Sequence, residues 1–288
     1  MTTISTTPDA LTAPNQTIDV DGRTIAYRTF GEGPPLVLCM RLRGTMDMWD
    51  PLFLDELAEA FTVTVFDYSG LGLSTGDPSY AKKDMAKDVN DLVEALGLGR
   101  VIIGGWSLGG FAAQVFAAMY PEKVSHVLAI ATMPPGLMVK PPEPIFMETA
   151  MKLSYSAEDE YILFYEPKSE LSRKAADASM ARIASRSEVK DHPTPSEVFN
   201  KSVAASADPT TPFPDPDGIY ADFFKRTDTP VLALSGDHDI IFPVENWYAL
   251  NGVWPTLFVA TFPQSGHGPQ HQHPELAADI IKSFVRNS

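Results

Sequence analysis

Apolar positions along the chain recur at two different spacings, and their succession lays out the elements. From Gln16 to Thr29, QTIDVDGRTIAYRT, apolar and polar residues alternate around Asp21-Gly22, which predicts two strands joined by a two-residue turn. Leu36 to Cys39 is a continuous apolar run, as in a strand covered on both faces. Asp50 to Phe61 carries Leu52, Phe53, Leu57 and Phe61 behind an acidic N-terminus and predicts a helix. Val63 to Phe66 reads as the next buried strand, ending in a loop from Asp67 to Ser74 with two turn-permitting glycines. Met85, Val89, Leu92, Val93 and Leu96 then recur at helical spacing and stop at Gly97. Val101 to Ile103 reads as the end of a buried strand, Phe111 to Met119 as a helix, and Val124 to Ile130 as a further strand that breaks at Met133-Pro134-Pro135-Gly136.

Strands alternating with helices in this way predict an α/β fold, a mainly parallel, eight-stranded, doubly wound sheet that begins with an antiparallel hairpin. The alternation lapses between Pro134 and Thr229. That stretch holds helical segments (Ile145 to Leu153, Glu158 to Tyr165, Glu170 to Ser185, Ser196 to Ala205), many prolines and no convincing strand. A loop of that length does not fit a compact domain, so residues 135–228 are expected to form an inserted helical cap over the site. Residues 16–134 and 229–288 would then form the core, behind a disordered polar leader over 1–15. The alternation resumes with a strand from Val231 to Leu234, a helix from Pro243 to Leu250, a strand from Leu257 to Phe262, a loop from Gln264 to Pro269 and a closing helix from Pro274 to Val285.

Composition narrows the class of partner. With 288 residues, 44% of them hydrophobic, the chain is long enough for one large domain or one with an insertion. The 37 acidic residues outweigh the 22 basic ones, a balance that repels nucleic acid and anionic membranes, so neither is an expected partner. A single cysteine, Cys39, admits no internal disulfide, and the N-terminus lacks a cationic start followed by an apolar core; a cytoplasmic location is expected.

Chemistry concentrates first at Gly104-Gly105-Trp106-Ser107-Leu108-Gly109-Gly110, between a strand and a helix. In a G-x-S-x-G turn the serine holds a strained backbone conformation while its neighbours two residues away pass too close for side chains. Ser107 would project from the carboxyl end of the sheet, where ligands of such sheets bind, at a helix N-terminus whose free N–H groups favour negative charge. A phosphate loop is the competing reading, but it wants a lysine after its last glycine and none follows. A serine nucleophile needs a base and the base an orienting acid. His267 lies between the last strand and the last helix, and Asp239 follows the strand Val231 to Leu234 at the same sheet edge, with Asp237 as its rival.

Taken together, GGWSLGG, FDYSGLGLST, SGDHDIIFP and SGHGP followed by Pro274 resemble the α/β-hydrolase superfamily, over nearly everything from Thr17 to Val285. The resemblance implies a catalytic triad in the order Ser107, Asp239, His267, the acid closing a Gly-x-x-Asp run from Gly236. It also implies an oxyanion hole from the backbone N–H groups of Leu42 and Leu108. Where many members carry His-Gly after the first buried parallel strand, this chain reads Met40-Arg41-Leu42-Arg43-Gly44. Arg41 and Arg43 are candidates to bind a substrate carboxylate or carbonyl, although pairing with Asp47, Asp50 or Asp67 is the commoner arrangement. Trp106, Met133, Phe146 and Phe164 are expected to contact substrate. His271 and His273 are expected at the surface, and His126, His192 and His238 in structural or exposed positions. The activity implied is hydrolysis of a small-molecule carboxylic ester or lactone through an acyl-enzyme, by a monomer or homodimer, with no cofactor and no metal. Cofactor-free haloperoxidase or perhydrolase chemistry, and a non-catalytic ligand receptor, are the alternatives that the same fold admits.

Overall fold

In a computed structural model that describes residues 9–152, 154–186, 194–200 and 212–288, the apolar runs form one eight-stranded sheet. The strands are β1 (Gln16–Val20), β2 (Arg23–Phe30), β3 (Pro35–Cys39), β4 (Thr62–Phe66), β5 (Val101–Trp106), β6 (Val124–Ile130), β7 (Val231–Gly236) and β8 (Leu257–Phe262). Their spatial order is β1-β2-β4-β3-β5-β6-β7-β8. The β1/β2 and β2/β4 pairs are antiparallel and every later pair is parallel. Asp21 and Gly22 take φ of 48° and 78°, the left-handed pair that a tight hairpin turn requires.

The central strands are apolar on both faces because both are covered. Val37, Ile103, Val127 and Ala233 face one layer with residues of α2 (Lys82–Ala95) and α3 (Leu108–Met119). Leu38, Ile102, Leu128 and Leu232 face the other, with residues of α1 (Pro51–Ala58) and of the closing helix Pro274–Asn287. This is the period-two alternation of a doubly wound sheet. β5 runs three residues beyond its apolar start, because Gly104, Gly105 and Trp106 pair with Leu128, Ala129 and Ile130; only Ser107 separates strand from helix.

Between β6 and β7 the described residues form helices and no strand: α4 (Pro144–Ala150), α5 (Ala157–Phe164), α6 (Glu170–Ala184), a helical stretch at 196–200, and α7 (Ile219–Phe224). Ser156 starts α5 in a capping box with Asp159, and Ser169 caps α6. The end of the insertion packs into the core layer, where Phe224 stacks on Trp254 at 4.6 Å and Phe213 on Phe111 at 4.4 Å. The helix expected over Ser196 to Ala205 lies partly outside the described residues, as does His192. Beyond β7 the chain forms α8 (Glu245–Tyr248), shorter than expected, then α9 (Pro269–Gln272) and α10 (Pro274–Asn287).

Two expectations need correction. Residues 9–15 of the leader are not loose: Ala10 and Ala13 are buried, Ala10 N–H donates to Asp55 at 2.7 Å, and Arg186 donates to the carbonyls of Ala10, Leu11 and Ala13 at 2.7–3.1 Å. His271 is not at the surface but 4% exposed, because α9 turns it inward against Trp106, with ring centroids 4.5 Å apart. It accepts the Asp50 N–H at 3.3 Å. Asp50 caps α1 and takes Arg182 of α6 in a forked ion pair at 2.6–3.1 Å, so one carboxylate ties the core to the insertion.

Two stability measurements follow from that junction. Asp50→Ala removes a helix cap and a fully buried ion-pair partner, and urea unfolding should register a loss of about 3 kcal/mol. Burial holds the His271 imidazole down at about 4, against an ordinary 6.5. Between those values the unfolded chain binds a proton that the native chain refuses. His271 therefore makes stability fall as pH drops from about 6.5 to about 4, by up to ~1.4 kcal/mol per pH unit. His271→Gln, which keeps an acceptor for Asp50, should show a shallower acid loss than wild type; an equal slope would remove His271 as its source.

Candidate active site

The site is built around the backbone of Ser107, which stands at φ 58° and ψ −121° between β5 and α3. An L-residue rarely adopts this conformation, and hydrogen bonds hold it there. Ser107 N–H donates to the Ile130 carbonyl at 2.9 Å, while its carbonyl accepts from Gly110 N–H at 2.8 Å and from the Thr132 hydroxyl at 2.9 Å. The flanking glycines are steric necessities. A Cβ on Gly105 would collide with the Gly109 carbonyl, and one on Gly109 with the Cys39 carbonyl.

His267 and Asp239 converge on this serine from the loops after β8 and β7. Asp239 Oδ1 accepts the N–H groups of Ile241 and Phe242, both at 2.9 Å, which aims Oδ2 at His267 Nδ1, 2.8 Å away. An ionised carboxylate only accepts, so this bond puts the ring proton on Nδ1 and leaves Nε2 a lone pair. Both side chains are buried. Trp106 Nε1 donates to the His267 carbonyl at 2.6 Å and fixes the loop from beneath. Asp237 is engaged elsewhere, with the His238 ring at 2.6 Å and Ser265 N–H at 3.2 Å.

Ser107 and His267 open onto one cavity of about 300 Å³, which Leu42 and Leu108 also line. Among the described contacts they make no hydrogen bond to each other. The Leu42 and Leu108 N–H groups find no acceptor among the described residues. Leu108 opens α3, where the orphan donors of a helix N-terminus lie. Most of the remaining wall is apolar, with Phe111, Ile241 and Phe242 from the core and Phe146, Met147 and Phe164 from α4 and α5, while Arg41, Arg43, Lys82 and Tyr155 bring polar groups to it. Among the described residues no cluster of three or more metal-ligating side chains occurs.

Phe146 and Phe164 thus reach the serine's cavity, but Trp106 and Met133 do not line it. Trp106 points to the opposite sheet face, where it borders a neighbouring cavity of about 350 Å³. Met133 is packed into the core layer beside α3. Nor, among the described residues, does Arg41 meet the acids expected for it. Asp47 pairs with Arg28 at 2.6 Å and with Arg186, Asp50 with Arg182, and Asp67 accepts the N–H groups of Met46 and Leu73. Arg43, at φ 61°, donates to the carbonyls of Ala150 and Lys152 and to the Tyr155 hydroxyl. Arg41 lies over the rings of Phe164 and Trp106, 4.4 and 5.0 Å from their centroids. Nothing in the spacing of MRLRG foretold that packing, since the aromatic partners come from α5 and β5.

Comparison with known proteins identifies the fold. Residues 34–274 match the family model of the alpha/beta hydrolase fold. A pimeloyl-[acyl-carrier protein] methyl ester esterase of Vibrio campbellii is 26% identical over 270 residues, 90% of this chain and 97% of that protein. A 2-(acetamidomethylene)succinate hydrolase of Mesorhizobium japonicum is 32% identical over 114 residues, 39% of this chain and 41% of that one. A solved α/β-hydrolase fold protein from Chitinophaga pinensis superposes with a TM-score of 0.86 at 28% identity, covering 98% of this chain and 100% of its own. Strand order, strained serine turn and family match lead to one conclusion: the chain belongs to the α/β-hydrolase fold family.

Proposed function

We propose that this protein is a serine hydrolase of small carboxylic esters or lactones, with Ser107 as nucleophile, His267 as general base and acid, and Asp239 as the orienting acid. The observation that carries the reading is the buried His267–Asp239 pair opening onto the same cavity as a serine held at φ 58°. His267 Nε2 takes the hydroxyl proton as Ser107 Oγ bonds to the substrate carbonyl carbon. The oxyanion so formed is stabilised by the Leu42 and Leu108 N–H groups, each contributing roughly 3–4 kcal/mol. Collapse of this intermediate expels the alcohol, which receives the proton from His267. Water then adds to the acyl-enzyme with the same histidine as base, releasing the acid and restoring Ser107. No step uses a metal or a cofactor.

Ester chemistry is supported by the methyl ester esterase among the relatives. A cavity of about 300 Å³ suits a small molecule. We read residues 135–228 as a cap, since Phe146, Met147, Met151 and Phe164 of this insertion lie over the serine and would set acyl length. The lone, buried Cys39 suits a cytoplasmic enzyme.

A fluorophosphonate probe should label Ser107, as peptide mapping would reveal. On a p-nitrophenyl ester, Ser107→Ala and His267→Ala should each lower turnover by about 10⁵- to 10⁶-fold, with the double variant scarcely worse because the two act as a unit. Substantial turnover by Ser107→Ala would end the proposal. Asp239→Asn should cost about 10⁴-fold by disturbing the imidazole tautomer, whereas Asp237→Asn should stay within a few-fold of wild type. The opposite ranking would make Asp237 the acid.

A further inference from the structure

The serine's cavity is lined by three cations, Arg41, Arg43 and Lys82, and by no carboxylate among the described residues, in a chain of formal charge −15. Arg43 is held by two backbone carbonyls and a tyrosine hydroxyl. Arg41 is differently placed. No carboxylate lies within ion-pair distance of it among the described residues. One Nη donates to the Leu42 carbonyl at 2.9 Å, the other reaches only the Met48 sulfur at 3.5 Å, and Nε is buried without a partner. The rings of Phe164 and Trp106 cover the guanidinium, while its in-plane N–H donors are the groups that grip a carboxylate. A cation withdrawn from water with so few acceptors is costly unless a ligand supplies them.

Glu160 is the rival counter-charge. It borders the neighbouring cavity together with Arg41 but stands beyond 4 Å, and burial raises its own carboxyl above the usual range, which weakens it as a permanent partner. Burial likewise lowers the Arg41 guanidinium from its ordinary value, the direction expected of a cation short of compensation.

We propose that Arg41 anchors a carboxylate carried by the substrate, so that the preferred substrate is an anionic ester, a half-ester of a short dicarboxylic acid, with its free carboxylate on Arg41 and its ester carbonyl at Ser107. The assignment rests on the serine-hydrolase reading above. Arg41 acts on binding and not on the bond-breaking step, so its contribution belongs to discrimination between charged and neutral esters.

The test compares kcat/KM for the monomethyl and dimethyl esters of succinate, glutarate and adipate, using the full chain and its Arg41→Met and Arg41→Lys variants. Wild type should favour the best monoester at least 10-fold over its dimethyl ester. Arg41→Met should lower that ratio to about 2 or less, and Arg41→Lys should recover part of it. The ratio is the readout because Arg41 also holds the Leu42 carbonyl, and damage there slows both esters alike. Wild type showing no preference for the monoester, or Arg41→Met keeping it, overturns the proposal. If Arg41→Met does not fold, the wild-type ratio and Arg41→Lys still decide. Fluorophosphonate labelling of Ser107 separates the two layers: labelling without charge preference sinks only the Arg41 assignment, and absence of labelling sinks the hydrolase reading. In the latter case calorimetric titration with glutarate reads the anion site alone. Binding weakened at least 10-fold in Arg41→Met upholds it, and no binding to wild type overturns it.

Discussion

The backbone of Ser107 is the constraint on which the rest of the site depends. A positive φ at a non-glycine residue costs of order 1–3 kcal/mol and persists only where the surroundings over-determine it. Here they do so from three sides: Ile130 of β6, Gly110 of α3 and Thr132 beyond β6 each hold the serine's own peptide groups. The same crowding sets neighbouring distances. Gly109 passes so close to the carbonyls of Cys39 and Met40 that the start of α3 is pressed against the exit of β3. Leu42 and Leu108 consequently line one cavity, although 65 positions separate them in the sequence.

A second set of constraints orients His267. Asp239 satisfies one oxygen with two backbone N–H groups and has the other free for His267, so the acid is aimed by its own loop. Gly236 lets the loop after β8 close over β7, since a Cβ there would strike the carbonyls of Ser265 and Gly266. From beneath, Trp106 grips the His267 carbonyl. The residue before Ser107 therefore holds the His267 loop, and it does so because strand alternation turns it to the sheet face opposite α3.

That alternation explains what could be read from the sequence. Alternation located the two hairpin strands and apolar runs the other six; a central strand covered on both faces has little room for polar residues, and β6 and β8 begin and end where their runs do. Glycine spacing located Ser107, because only close backbone approach demands glycine on either side of it. Contacts between distant segments left no such trace. Trp106 and Met133 were expected against substrate from their nearness to Ser107 along the chain, but facing is decided by which layer each strand presents, and both turn into core. His271 looked like one of a row of surface histidines until α9, too short to announce itself by periodicity, turned it under Trp106. Residues 9–15 carried no strong apolar pattern, and what holds them is Arg186, on the far side of the inserted helices.

The loop after β3 joins these themes. In the mechanism we propose it contributes a backbone N–H at Leu42, and a backbone donor leaves its neighbours' side chains free to vary without dismantling the oxyanion hole. In this chain that freedom places Arg41 between Phe164 and Trp106 at the edge of the serine's cavity. The consequence depends on length scale. Over the outer surface the excess of acidic residues is screened within about 10 Å at 0.1 M salt, so it does little to a small anion until contact. Inside a largely apolar pocket screening is weaker, and a guanidinium there acts more strongly on a charge that comes within reach than one on the open surface does. The net charge of the molecule therefore says little about its substrate, and the sign of the charges that line the cavity beside Ser107 says much more.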